Sequence, residues 1–231
     1  MVYNFMCEVH NLVKIYLVRH CEAAGNRKKA FQGHTDCDIS EDGARQLEYL
    51  SKRFSDIHID KAYSSPLIRA RKTAEAAIRD KGIEVISDPH FAEINAGVID
   101  GMPFAEIAEK YPDFYDMWDN RLYDFAPEGG ESMREVYDRM WEGLNNLALD
   151  PENEGKTLLI ASHGAATRSL LCHIIHNDIK KLCYTEWSRN TAVSLIIKDE
   201  KGFHIEFAND DGHLPEELKR TSRLLSVKKE I

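Results

Sequence analysis

A short apolar run near the start of the chain ends abruptly in two side chains that can do chemistry. The predicted strand Lys14–Val18 is followed directly by Arg19 and His20. Burying a charge or an unpaired imidazole is costly, so we expect the strand to deliver both residues into a cleft. In open α/β sheets, ligands bind at the carboxyl ends of the strands. A cation that recognises anions, beside an imidazole that can attack or move protons, indicates phosphate chemistry.

Further junctions after predicted strands carry residues of the same kind. The segment Ala62–Ala70 presents Arg69 at a helix start, and the strand Thr157–Ala161 runs into Ser162-His163-Gly164. A loop after another strand carries Glu93. If these strands are parallel neighbours, the side chains at their carboxyl ends converge at one edge of the sheet.

The elements that position these junctions alternate between β-rich runs and helical stretches, which predicts an α/β fold. We expect a three-layer α/β/α sandwich around a mostly parallel sheet, in a single domain over residues 1–231. The predicted strands are Lys14–Val18, Ile59–Tyr63, Gly82–Ser87, Thr157–Ala161, Ala192–Lys198 and Phe203–Ala208. The loop Asp199–Gly202 predicts a hairpin, so the last strands make an antiparallel edge. The predicted helices run from the cap Ser40 to Phe54, from near Pro66 to Asp80, and from Ala165 to His176.

The stretch of about residues 100–137 is different, because it is rich in acidic and aromatic residues. Its aromatic residues include Tyr111, Phe114, Tyr115, Trp118, Tyr123 and Phe125. We interpret the stretch as a helical insertion that forms a lid over the site. A packed lid is the favoured role for these rings, and a recognition surface for one ligand is the alternative.

Composition restricts the classes of partner. The formal net charge is -9 over 231 residues, so we expect no nucleic-acid binding. The basic clusters Arg27-Lys28-Lys29 and Lys228-Lys229 are interpreted as solvated surface. We expect no signal peptide and no membrane span, since an apolar run of roughly 20 residues is missing. The tail after Ser226 is expected to fray.

The five cysteines indicate reduced thiols in a cytoplasmic protein. They are Cys7, Cys21, Cys37, Cys172 and Cys183. Their number is odd and none forms a CxxC pair, which argues against a disulfide framework or a zinc site. The pair His173 and His176 has the spacing of metal ligands, but no further motif supports it, so we interpret both as helix-surface residues.

Taken in order, these motifs resemble the histidine phosphatase superfamily, which includes the cofactor-dependent phosphoglycerate mutases. The resemblance extends from Ile15 to about Leu214. The matching segments are Arg19-His20-Cys21-Glu22 with Asn26, Gln32-Gly33-His34-Thr35-Asp36, Ile39–Gln46, Tyr63–Ala70 with Thr73-Ala74-Glu75, Glu93 with Gly97 and Asp100-Gly101, Gly129–Ser132, and Ser162-His163-Gly164. Each segment alone is weak evidence, whereas their joint order and spacing are strong evidence.

The resemblance implies a catalytic role for five of these residues. His20 would be the nucleophile that becomes a phosphohistidine, because neutral imidazole has an available lone pair. Arg19 and Arg69 would hold the phosphoryl oxygens, and their charges would lower the pKa of His20. His163 would stabilise charge on the equatorial oxygens. Glu93 would protonate the leaving alkoxide and then activate water.

The resemblance also implies a wider phosphate-binding set: Asn26, Gln32, Gly33 and Gly164. Asn26 would donate through its amide, and Gly164 through its backbone N–H at a helix start. Turn formation is the alternative for Asn26 and Gln32. For Glu93 the alternative is an ordinary loop carboxylate. The resemblance implies no metal and no other cofactor.

Cys21 and Ala23 depart from the family pattern, which often has glycine at the first position and threonine or serine at the second. A cysteine beside the nucleophile would be an oxidation-sensitive switch if it were exposed and had thiolate character. The simpler interpretation of Cys21 is a small buried residue.

Three functions fit these expectations. The first is a metal-independent phosphomonoesterase of the histidine acid phosphatase type, which transfers the phosphoryl group of a small metabolite from His20 to water. The second is a phosphoglycerate mutase-type isomerase, which Asp100-Gly101 and Ala105–Tyr111 favour. The third is an inactive protein that binds a phosphorylated ligand. We favour the phosphatase, because no Arg-Arg pair follows the insertion and the acidic lid would repel a second anionic group. A homo-oligomer is compatible with the sequence.

Overall fold

The computed structural model describes residues 12–27 and 29–219, without the side chain of Arg27. Several sequence predictions fall outside these residues. They concern Cys7, Lys28, Lys228-Lys229, the segment in which a signal peptide was considered, and the tail after Ser226.

Six strands form one mixed sheet. The strands are β1 (Val13–Arg19), β2 (Lys61–Ser64), β3 (Val85–Ser87), β4 (Thr157–Ser162), β5 (Val193–Asp199) and β6 (Gly202–Asp210). Their order across the sheet is β3-β2-β4-β1-β5-β6. The first four strands in that order pair in parallel, and β5 pairs antiparallel with both β1 and β6. This arrangement confirms the mostly parallel sheet with an antiparallel hairpin at one edge.

The central strands β1 and β4 read as nearly continuous apolar runs because helices cover both faces of the sheet. The helices are α1 (Ala24–Arg27), α2 (Glu41–Phe54), α3 (Ile68–Ala77), α4 (Phe104–Lys110), α5 (Phe114–Asn120), α6 (Met133–Ala148) and α7 (Gly164–His176). On one face, Leu50 of α2 and Ala74 of α3 join a core with Leu159 of β4. On the other face, residues of α6 and α7 pack against Ile15 and Ile160. The expected three-layer sandwich is therefore confirmed.

The start of α2 follows from its sequence, as expected. The Ser40 side chain accepts a hydrogen bond from the Gly43 N–H at 3.0 Å, which satisfies one of the free donors of the first turn. Ser40 also donates to Glu22 Oε1 at 2.6 Å. A Cβ on Gly43 would lie 2.1 Å from the Glu22 carbonyl oxygen, so this helix can approach the chain after β1 only with glycine there.

Pro66 lies near the start of α3 as predicted, whereas the predicted end of this helix and the predicted start of β3 are wrong. Pro66 lies before the helix, whose cap is Leu67, because Ser65 Oγ accepts from the Leu67 N–H at 3.2 Å and makes a turn first. The helix ends at Ala77 rather than Asp80, and β3 starts at Val85 rather than Gly82. Both Asp80 (φ +64°) and Gly82 (φ +68°) have left-handed backbone, which neither a helix nor a strand continues.

The lid region contains α4, α5 and a short 3-10 turn, Leu122–Asp124. Its buried rings surround Phe31, whose ring centroid lies 5.2 Å from that of Trp118 and 6.1 Å from that of Phe125. Phe114, also buried, belongs to the same cluster. Phe114, Trp118 and Phe125 therefore pack as core and fix the chain immediately before Gln32, whereas Tyr111 is exposed, and a lid over the site stays a prediction. The single domain over residues 1–231 stays a prediction.

Two further observations concern the helices. Within residues 12–27 and 29–219, none of them is long and apolar enough to cross a bilayer. Packing explains His173 without a metal ion. Its ring stacks on Trp141 with centroids 4.0 Å apart and on Tyr137 at 4.6 Å. His173 thus joins α7 to α6 by packing.

Candidate active site

The carboxyl ends of β1 and β4 bring two histidines together. Arg19 lies opposite Ser162 in the parallel register, and the His20 N–H donates to the Ser162 carbonyl at 2.8 Å. The next residue on each strand is therefore His20 or His163, at the same level of the sheet. Their ring centroids are 5.1 Å apart, and both side chains are buried.

The tautomer of His20 follows from its hydrogen bond. Nδ1 lies 2.6 Å from the carbonyl oxygen of Cys21, which can only accept, so Nδ1 carries the proton. Nε2 then keeps its lone pair. Burial holds the pKa of His20 well below 6.5, and the charges of Arg69 and Arg19 lower it further. The lowering was expected, although its largest cause is burial rather than the arginines. At neutral pH, Nε2 of His20 is a neutral nitrogen nucleophile.

Arg69 is fixed by two backbone carbonyls and keeps donors for a ligand. Its Nη1 donates to Thr35 O at 3.1 Å and its Nη2 to Gly33 O at 2.8 Å. Its Nε is buried and has no hydrogen-bond partner among the described residues. Since a guanidinium has five N–H donors, the orientation set by the carbonyls leaves three of them to hold phosphoryl oxygens.

Asp100 in turn fixes the loop that carries these carbonyls. Asp100 Oδ1 accepts from the Gly33 N–H at 2.9 Å, and Oδ2 accepts from the Thr35 N–H at 2.8 Å. Both backbone groups of Gly33 are therefore used to build the site, one by Asp100 and one by Arg69. A Cβ at Gly33 would lie 2.5 Å from Ile94 O, which explains the glycine.

Arg19 lies flat against the start of α7. A Cβ at Gly164 would come within 3.3 Å of the Arg19 guanidinium carbon, so glycine permits this close approach. Arg19 Nη1 donates to the carbonyl of Ser188. Burial lowers the pKa of Arg19 to about 10, with Glu93 opposing that shift, so the group stays cationic at neutral pH.

His163 caps the start of α7 and is fully buried. Neither of its ring nitrogens has a hydrogen-bond partner among the described residues. Burial, and then the charge of Arg69, keeps the pKa of His163 well below 6.5. Buried polar groups are normally satisfied, so this neutral imidazole is available to donate to an oxygen of a bound phosphoryl group.

The Glu93 carboxylate is buried at the same helix start. Its Oε1 accepts from the N–H groups of Ile94 at 3.0 Å and Ala166 at 3.1 Å, and its Oε2 accepts from Ala165 at 3.2 Å. Burial lowers the pKa of both Arg19 and Arg69, and the charge of Glu93 opposes that lowering, which places it beside the two cations. The loop is thus folded so that this side chain points inward, unlike a solvated loop carboxylate.

A family model, the histidine phosphatase superfamily (branch 1), matches residues 15–211. The chain belongs to this superfamily. It is 34% identical over 208 residues to Phosphoserine phosphatase 1 of Hydrogenobacter thermophilus, covering 89% of this chain and 96% of that protein. It is 31% identical over 216 residues to a probable phosphoglycerate mutase, GpmB, of Cronobacter sakazakii, covering 88% and 95%.

Solved structures show the same fold. Bacillus stearothermophilus YhfR superposes with a TM-score of 0.82 at 27% identity, covering 87% of this chain and 98% of that one. A mycobacterial glucosyl-3-phosphoglycerate phosphatase in complex with VO3 superposes with a TM-score of 0.78 at 20% identity, covering 85% and 98%. The second likeness concerns the fold alone.

One residue of this histidine phosphatase site was missed from the sequence. Arg139 of α6 donates from Nη1 to the carbonyls of His90 at 2.8 Å and Ala92 at 2.9 Å, and from Nη2 to that of Glu93 at 3.1 Å. Its Nη2 also bonds Glu131 Oε2 at 2.8 Å. Arg139 therefore holds the loop that carries Glu93. Glu131 lies before the cap of α6, so no helical spacing links it to Arg139, and no local signal in the sequence indicates this role.

Asn26 and Gln32 both make local contacts. Asn26 Oδ1 accepts from the Ala23 N–H at 2.9 Å, so its oxygen stabilises the turn that was the alternative role. Gln32 Oε1 accepts from Cys37 Sγ at 3.6 Å, while its buried Nε2 has no partner among the described residues. A phosphate contact by the two amide nitrogens stays a prediction.

Cys21 is a buried structural residue, which confirms the simpler interpretation. Its N–H donates to Thr73 Oγ1 at 3.0 Å, and its side chain is fully buried. Burial raises the pKa of its thiol to about 12. A redox switch requires an accessible thiolate, so the switch hypothesis for Cys21 is wrong.

Proposed function

We propose that this protein is a metal-independent phosphomonoesterase that hydrolyses a small phosphorylated metabolite through a phosphohistidine on His20. The observation that carries the proposal is the bond from His20 Nδ1 to the Cys21 carbonyl, which leaves the Nε2 lone pair free at neutral pH. Beside it lie two guanidinium groups, those of Arg19 and Arg69, and the unpartnered imidazole of His163. These groups match the charge of a transferring phosphoryl group.

The proposed reaction has two steps. In the first, with Glu93 entering as the neutral carboxylic acid, His20 Nε2 attacks phosphorus, a P–N bond forms, the ester P–O bond breaks, and the leaving oxygen takes the proton of Glu93. In the second, Glu93 takes a proton from water, whose oxygen attacks phosphorus and breaks the P–N bond. Inorganic phosphate leaves, and both His20 and Glu93 return to their starting states. Arg19, Arg69 and His163 hold the phosphoryl oxygens throughout.

The charge of the lid favours hydrolysis over isomerisation. Residues 104–124 contain six carboxylates and two basic residues. Both basic residues pair within the lid, Lys110 with Glu106 at 2.7 Å and Arg121 with Asp116 at 2.8 Å. A mutase must bind a substrate with a second anionic group, which this lid would repel. A substrate with one phosphate on a neutral or zwitterionic body fits better.

A chelator-resistant assay with a label on the protein tests the proposal. We expect hydrolysis of p-nitrophenyl phosphate to continue in EDTA and acid-labile phosphate to accumulate on the protein during turnover. His20→Ala should abolish both signals. His58→Ala, an exposed histidine paired with Asp60, serves as the control and should retain both. Turnover that requires a metal, or label that persists in H20A, would refute the mechanism.

Phosphoglycerate mutase-type transfer is the second candidate, favoured by the similarity to the probable mutase of Cronobacter sakazakii. Incubation with 3-phosphoglycerate and a bisphosphate primer separates the two, because a mutase forms 2-phosphoglycerate and a phosphatase releases phosphate. A panel of phosphometabolites should include phosphoserine, given the relative named for that activity. A stable phosphate complex with neither turnover nor label would favour the inactive binding protein. The cytoplasmic location and the homo-oligomer stay predictions.

A further inference from the structure

Three residues of a four-residue segment before β5 form hydrogen bonds with Arg19 or His20. The Ser188 carbonyl accepts from the Arg19 guanidinium. The Asn190 Nδ2 donates to the His20 carbonyl at 2.8 Å. The Thr191 N–H donates to the Arg19 carbonyl at 3.0 Å and approaches that of His20 at 3.4 Å. We call Ser188–Thr191 the clamp segment. It holds the side chain of one catalytic residue and the backbone of both.

The clamp segment has an unusual backbone conformation at Thr191. This residue has φ +56°, in the left-handed region that β-branched residues rarely adopt. Such a conformation persists only where the surroundings enforce it, and residues of this kind cluster at functional sites. Here it turns the Thr191 N–H towards the carbonyls of Arg19 and His20. The Thr191 side chain is fully buried, so the turn is enclosed by the fold.

Side chains in the last residues of β6 and just after it hold the clamp segment in place. Three contacts join it to residues 209–213, and they are Ser188 Oγ to Asn209 Oδ1, Arg189 Nη1 to Asp211 Oδ2 at 2.7 Å, and Thr191 Oγ1 to His213 Nε2 at 3.2 Å. The segment is therefore fixed from one side by residues 209–213 and transmits that position to the end of β1 on the other side.

We propose that Asn190 is a positioning residue for the nucleophile, an inference that rests on the proposed phosphohistidine chemistry. The peptide between His20 and Cys21 is held at one end by Asn190, through the His20 carbonyl. The Cys21 carbonyl, which belongs to the following peptide, orients the imidazole of His20 through Nδ1, so a tilt at His20 shifts this carbonyl as well. Removing the Asn190 amide frees this peptide to tilt and moves Nε2. Phosphate binding by Arg69 and His163 does not depend on that peptide, so the phosphorylation rate falls while KM changes little.

The test compares Asn190→Ala with a matched control, Asn153→Ala. Asn153 is also fully buried, and its Nδ2 donates to the Leu147 carbonyl at 2.9 Å, but it lies before the amino end of β4, opposite the site. Both variants lose one buried amide bond and should lose similar thermal stability. We expect the first-turnover release of p-nitrophenol to be about 10- to 100-fold slower in N190A, while the substrate concentration that gives half of the maximal first-turnover rate stays within about threefold. N153A should match the wild type per folded molecule.

The leaving group provides an independent readout. Slower attack by His20 lowers the rate for p-nitrophenyl phosphate and for an alkyl phosphate by the same ratio, because the change in His20 leaves the proton transfer from Glu93 unaffected. A merely structural role would give N190A the rate of N153A, or a raised KM with an unchanged rate, and either result overturns the inference. A wild type without phosphohistidine overturns the proposed function itself. A labelled wild type with an unaffected N190A overturns the inference alone.

A second variant applies if N190A does not fold. His213→Ala removes the partner of Thr191 Oγ1 from outside the clamp segment and leaves every group that contacts Arg19 and His20 in place. We expect phosphorylation about threefold slower with unchanged KM, because the turn at Thr191 loosens without losing its bonds to β1. A first-turnover rate equal to that of the wild type in folded H213A would contradict the inference.

Discussion

The nucleophile half and the acid half of the candidate site are built by different kinds of structure. The nucleophile half (Arg19, His20, Arg69 and His163) is held mainly by backbone groups: two strand ends in parallel register, the carbonyls of a loop and the clamp segment. The acid half is Glu93, whose carboxylate accepts from three backbone N–H groups, but the side chains of Arg139 and His34 hold its loop through the Glu93 carbonyl.

This difference matches what each half must do. The nucleophile half meets the same phosphoryl group in every substrate, so a fixed geometry serves all of them. The acid meets a leaving oxygen first and a water molecule afterwards, and leaving groups differ in how much they need a proton. Damage to the nucleophile half should therefore slow all substrates equally, whereas damage to the acid half should depend on the leaving group.

The largest effect is expected from Arg69→Met, in the nucleophile half. The variant removes a buried guanidinium whose remaining donors face the phosphoryl group, and arginines in this role are worth roughly 10³-fold in rate. We expect kcat/KM to fall by about that factor for p-nitrophenyl and alkyl phosphates alike. The control is Arg71→Met on the same helix, where the side chain is exposed and pairs with Glu75. A fall in kcat/KM confined to alkyl phosphates would contradict the proposed difference between the nucleophile half and the acid half.

Glu93→Gln should separate the two halves most clearly. Glutamine keeps the shape but cannot supply the proton, and general acid catalysis contributes roughly 10²- to 10⁴-fold. We expect kcat/KM, which reports the phosphorylation step, to fall about 10²-fold for an alkyl phosphate and less than about tenfold for p-nitrophenyl phosphate, whose phenolate leaves unaided. The ratio of the two rates is the measurement. Equal losses for both substrates would mean that Glu93 acts on the phosphoryl group instead.

Arg139→Met should act like a weaker Glu93 variant. The substitution frees three loop carbonyls and lets Glu93 move. We therefore expect kcat/KM to fall about tenfold for alkyl phosphates and to change little for p-nitrophenyl phosphate. Arg134→Met is the matched control, because Arg134 lies on the same helix, pairs with exposed Asp138 at 3.9 Å and has its guanidinium carbon 5.6 Å from the centroid of the Tyr137 ring. An equal loss with both substrates would assign Arg139 to the nucleophile half.

The sequence predicted the nucleophile half better than the acid half, for a physical reason. Arg19, His20 and His163 interrupt apolar runs, so local sequence alone shows that they cannot be ordinary strand residues. The inward direction of Glu93 depends on Arg139, which lies 46 residues further along the chain. No local pattern records a contact between one helix and the backbone of a distant loop.

The clamp segment was missed for a related reason. Threonine disfavours a positive φ, so nothing at Thr191 predicts the turn that the fold imposes there. Gly33 was expected among the phosphate-binding residues, yet its N–H partner is Asp100, 67 residues away. In both cases the sequence indicates the chemistry of the residue, whereas its hydrogen-bond partner depends on the tertiary structure.

Acidification should destabilise the nucleophile half through its histidines. The pKa values of His20 and His163 are lowered in the folded state, so below pH 6.5 the unfolded chain binds protons that the folded chain does not. This contribution to stability is complete above pH 6.5 and is lost as the pH falls below it. Between pH 7.5 and pH 5.5, the free energy of unfolding measured in urea should decrease in both proteins. The decrease should be about 1 to 1.5 kcal/mol smaller in His163→Asn than in the wild type. An identical decrease in both would mean that His163 is protonated in the folded state.

The smallest effect is expected beside the nucleophile itself. Cys21 adjoins His20, but its thiol is fully buried and its pKa is raised to about 12. Peroxide therefore cannot reach the sulfur and finds no thiolate to oxidise. Inactivation by peroxide should proceed at the same rate in the wild type and in Cys21→Ala. Cys37→Ala is the informative companion, because Cys37 is partly exposed and its Sγ lies 3.6 Å from Gln32 Oε1. Protection by C21A alone would mean that the end of β1 opens in solution, and that the nucleophile half is not the rigid half.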